Sequence, residues 1–108
     1  MHRILSAWAR LHDAEQMKAL LAPIKHGDEL GADLSDAEQG SVELYDRETK
    51  TFRYIVSDGR SVVCYTVTGL TLVQAATIAA ACDGISVFNL QSFAAAVEVA
   101  IGPVQLLQ

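Results

Sequence analysis

Lysine and arginine stop at Arg60: residues 61–108 contain neither. A segment without cations cannot neutralise phosphates. The helix–glycine–helix pattern of residues 71–97 therefore does not read as a DNA-binding helix-turn-helix, and direct nucleic-acid binding through this half is excluded. Cysteine is nearly absent as well. Cys64 and Cys82 are the only two, with no C-x-x-C spacing. That is too few for a disulfide framework and reads as reduced, buried thiols in a cytoplasmic protein. The three histidines, His2, His12 and His26, have no metal-ligand spacing to one another or to a cysteine. His26 with Asp28 and Glu29 comes nearest to a metal group and reads as a solvated loop. No dinucleotide-binding glycine pattern, phosphate-binding loop or G-x-S-x-G elbow occurs. Neighbouring acids such as Asp28 and Glu29, or Asp36 and Glu38, lie in polar surroundings that give no reason for a raised pKa. The expectation is a non-enzymatic protein with no cofactor and no metal. The start, MHRILSAWARLHDAEQ, lacks the sustained apolar core and cleavage site of a secretory leader.

What is present is apolar and compact in pattern. The 108 residues are 51% hydrophobic with a mean hydropathy of +0.24, too apolar for a disordered chain and of a length for one domain, 1–108. The run 61–82 is uncharged. It alternates like a strand at first, then breaks at Gly69 and Thr71, so it reads as a buried strand followed by a buried helix rather than a membrane span.

The stretch 41–67 organises the rest. It reads as a three-stranded antiparallel meander with turns near 46–50 and at Asp58-Gly59. A two-residue Asp-Gly loop predicts Ser57 opposite Arg60, Tyr54 opposite Val63 and Phe52 opposite Tyr65. Phe52, Tyr54, Val56, Val63, Tyr65 and Val67 then share one apolar face, with Arg53, Ile55, Val62, Cys64 and Thr66 on the other. For the first turn an odd loop is expected. It sets Leu44 opposite Phe52 and Glu43 opposite Arg53, and keeps Glu43 out of the core, where an unpaired carboxylate is costly.

Around the meander, helices are expected. Residues 3–11 carry Ile4, Trp8 and Leu11 at helical spacing, and their alanines and leucines favour a helix. A second helix, 14–25, starts at the cap Asp13 and ends near Pro23 and Gly27. Residues 27–40 read as a loop with one helical turn after Ser35. Thr71 and Gln74 form a capping box for an alanine-rich helix to Cys82. Ile85–Phe88 is a short strand candidate. Asn89 then caps a helix with the stripe Leu90, Phe93, Ala94, Val97 and Ile101, ended by Gly102-Pro103, and 104–107 form an edge strand. The fold class is α+β: the meander packed with N-terminal helices and two alanine-rich C-terminal helices.

Charge is segregated. Between 28 and 48 there are eight acids, Asp28, Glu29, Asp33, Asp36, Glu38, Glu43, Asp46 and Glu48, against the single cation Arg47. Such a band repels nucleic acid and anionic lipid and attracts basic surfaces. The expectation is a protein-binding inhibitor of the phage anti-defence (anti-CRISPR-like) or toxin-immunity kind, occupying a partner's basic, nucleic-acid-binding surface. Its contacts would be Asp33, Asp36, Glu38, Asp46 and Glu48. The alternative is an oligomer-forming assembly subunit, a homodimer or larger, held by the uncharged C-terminal half. A third reading, an enzyme built around Arg53 and Cys64, lacks a base and an activated nucleophile.

Overall fold

The computed structural model describes residues 2–21, 28–36, 39–82 and 90–107. They form an α+β fold in the order β1 (His2–Arg10), α1 (Ala14–Leu21), β2 (Asp28–Asp36), β3 (Gln39–Asp46), β4 (Thr51–Asp58), β5 (Ser61–Val67), α2 (Leu72–Cys82), α3 (Leu90–Ile101) and β6 (Val104–Leu107). One six-stranded mixed sheet has the order β2-β3-β4-β5-β1-β6. All neighbours are antiparallel except β1 and β6, which run parallel. The meander therefore holds four strands rather than three.

Two segments correct the sequence expectation. Residues 2–10 are a strand, not a helix. Helix and strand propensities of alanine and leucine differ by tenths of a kcal/mol. Pairing with β5 on one side and β6 on the other satisfies the backbone of this segment and outweighs that difference. Residues 28–36 are a strand rather than a loop. Its acids are poor strand formers, but β2 lies at the end of the sheet, where charged residues also discourage strand-to-strand aggregation. Two register shifts along the β2–β3 pair blur its alternation.

The hairpin between β4 and β5 keeps its predicted faces but not its predicted pairing. Tyr54 pairs with Tyr65 and Ser57 with Val62, two residues away from the expected register. The loop is Gly59-Arg60, with Gly59 at φ 89. Asp58 closes it instead of lying in it: the Asp58 carboxylate accepts the N–H groups of Arg60 (2.8 Å) and Ser61 (2.9 Å). A shift of two leaves every side chain on its own face. Accordingly Phe52, Tyr54, Val56, Val63, Tyr65 and Val67 are all buried.

The β3–β4 turn overturns the odd-loop expectation. Asp46 pairs with Thr51 around the four residues 47–50, so Glu43 lies opposite Tyr54 and Tyr45 opposite Phe52. Lys50 takes the left-handed conformation at φ 55. The Asp46 carboxylate accepts from the N–H of Glu48 (2.9 Å) and Thr49 (3.4 Å). This register places Tyr45 in the core, where its hydroxyl donates to the Leu70 carbonyl at 2.5 Å. It also puts Glu43 on the core face at 6% exposure. Among the described residues no buried polar side-chain atom lacks a partner.

Helices α2 and α3 cover this face. The capping box at the start of α2 forms as expected: Thr71 N–H donates to the Gln74 side chain (2.9 Å), and Gln74 N–H to the Thr71 hydroxyl (3.2 Å). Asp13 caps α1 by accepting from Gln16 N–H at 3.0 Å. In α3, Phe93 and Val97 are fully buried and Ala94 and Ala96 nearly so. The Phe93 ring lies 4.8 Å from Tyr65, 5.5 Å from Tyr54 and 6.3 Å from Phe52, centroid to centroid. Gly102, at φ 86, closes α3 with its N–H on the Glu98 carbonyl. The chain then enters β6. Among the described residues no helix is long and apolar enough to cross a membrane. The uncharged run 61–82 is divided between β5 and α2. The expected helix end at Pro23 and Gly27, the helical turn after Ser35 at residues 37–38, and the strand and cap expected at 85–89 lie wholly or partly outside the described residues.

Candidate functional site

The acids of the central band do not form one cluster. Asp33 and Asp36 lie on β2, the terminal strand of the sheet, opposite Ser41 and Gln39 of β3. Asp46 and Glu48 lie at the β3–β4 turn, at the other end of the same edge. Glu38 lies outside the described residues. Asp28, opposite Tyr45, and Glu29, opposite Leu44, sit on β2 beside that turn. The backbone thus brings Asp46 and Glu48 close to Asp28 and Glu29, which the contact prediction had omitted. It leaves Asp33 and Asp36 several residues farther along the strand, at about 3.3 Å per residue.

Their chemistry also differs. The backbone N–H groups of Glu48 and Thr49 hold the Asp46 carboxyl below the usual carboxylate range. Asp46 therefore serves the turn first, while Glu48 is exposed. Arg47 and Lys50, exposed in the same turn, temper the local negative field. Glu43 leaves the band for the core. By backbone position the remaining described acids of the band lie along β2 and at one turn, in a line at the sheet's edge.

The face opposite the helices carries Arg53 and Cys64. Cys64 is buried, and desolvation pushes its thiol up, with a smaller opposing influence from the Thr66 hydroxyl and Arg53. Cys82, at the end of α2, is pushed up to about 12 by burial and then by the negative charge of Glu43. Both thiols are free. A raised thiol pKa keeps sulfur protonated near neutrality and weakens it as a nucleophile. Among the described residues no three of histidine, cysteine, aspartate and glutamate converge as a metal site.

Two apolar exposures stand out. Val73 (75% exposed) on α2 and Val99 (81%) on α3 project from helices whose inner faces are buried. On β1, Trp8 is 53% exposed and its ring lies under the Arg10 guanidinium, 5.9 Å from the centroid. Sequence reasoning missed Trp8 because helical spacing groups it with Ile4 and Leu11 on one apolar stripe. The alternation Ile4, Ser6, Trp8, Arg10 was the available signal. Comparison with protein-family models, curated proteins and solved structures yields no match to this chain.

Proposed function

We propose that this chain is a small non-enzymatic protein that binds another protein through its acidic sheet edge, docking on a basic surface of the kind that otherwise holds nucleic acid. One observation carries the reading: β2, with Asp28, Glu29, Asp33 and Asp36 and no cation, is the terminal strand of the sheet. A terminal strand offers unpaired backbone groups on its outer side, and its acids add long-range attraction to cationic partners. An inhibitor of a phage anti-defence or toxin-immunity type fits this combination of acidity, small size and protonated thiols. The test is charge reversal of Asp33, Asp36 and Glu48 to lysine, followed by capture of partners from a host lysate at two salt concentrations. The reading expects loss of the captured protein and of the salt dependence. Unchanged capture and unchanged salt dependence would refute the electrostatic part.

A second reading is favoured by the exposure of Val73 and Val99 on helices with few charged groups: an assembly subunit that associates through the outer faces of α2 and α3. Light scattering coupled to sizing separates the two. A stable oligomer that dissociates on Val99→Asp or Ala95→Glu supports the second, and a monomer in the wild type removes it.

A further inference from the structure

No further inference is drawn: the strongest candidate, the exposed aliphatic surface of the helical layer formed by Leu72 and Val73 of α2 and Val99 of α3, carries no charge pattern that selects an occupant, and nothing in the structure shows what covers it.

Discussion

Replacing Phe93 by alanine tests whether α3 is held on the sheet as described. Phe93 is fully buried, and its ring meets those of Tyr65, Tyr54 and Phe52. Truncating a buried phenylalanine costs about 3–5 kcal/mol through lost transfer energy and the cavity left behind. A domain of this size holds about 5–15 kcal/mol in total, so the variant should sit close to the unfolding threshold. With a urea slope of about 1–1.5 kcal/mol per molar, the midpoint should fall by roughly 2–5 M. Phe93→Leu separates ring contacts from simple bulk. It keeps most of the apolar volume and loses the aromatic pairs, each worth about 0.5–1.5 kcal/mol, so its loss should be about 1–2 kcal/mol after repacking. The assay is urea unfolding followed by far-ultraviolet circular dichroism and by Trp8 emission. Both signals should give one transition. An alanine variant within about 1 kcal/mol of wild type, or two transitions that separate in the wild type, would refute the docking of α3 on this aromatic cluster.

Tyr45→Phe should cost about 1–2 kcal/mol in the same unfolding assay, because the Leu70 carbonyl loses its donor in a buried setting; no loss would undo the register of the β3–β4 turn. Burial, ahead of all other causes, pushes Tyr54 and Cys82 each up to about 12. A raised folded pKa contributes stability in full below the unfolded value and loses it as pH climbs toward the folded one, so stability should decline from about pH 9 upward. A urea midpoint that stays level to pH 11 would contradict the burial of these groups. On the acid side the Asp46 and Asp58 carboxyls are held low by turn N–H groups. Their contribution is present above the ordinary carboxylate range and fades as pH falls through it. Asp58→Asn should flatten that acid limb in a pH series of melting temperatures.

The α+β class, the sorting of residues 52–67 into two faces and the capped starts of α1 and α2 were readable from the residues alone. These are local or parity properties. Side chains alternate strictly along a strand, so any even shift of a hairpin preserves its faces, and a capping box is complete within four residues. The two registers were not readable. Asp58 could lie in its loop or close it, and its carboxylate chose closure by capping two N–H groups. Glu43 was expected to stay out of the core, yet the register that buries it also buries Tyr45, whose hydroxyl finds a carbonyl 25 residues away that no local reading could supply. The same holds for β1 and β2, whose propensities are weak in either direction. What decided them was position: β1 became a strand because β5 and β6 flank it, and β2 because an edge needs only one neighbour. The acidic band was visible as composition, but the placing of its β2 acids along one edge of the sheet arose from strand order, which depends on contacts between residues far apart in the chain.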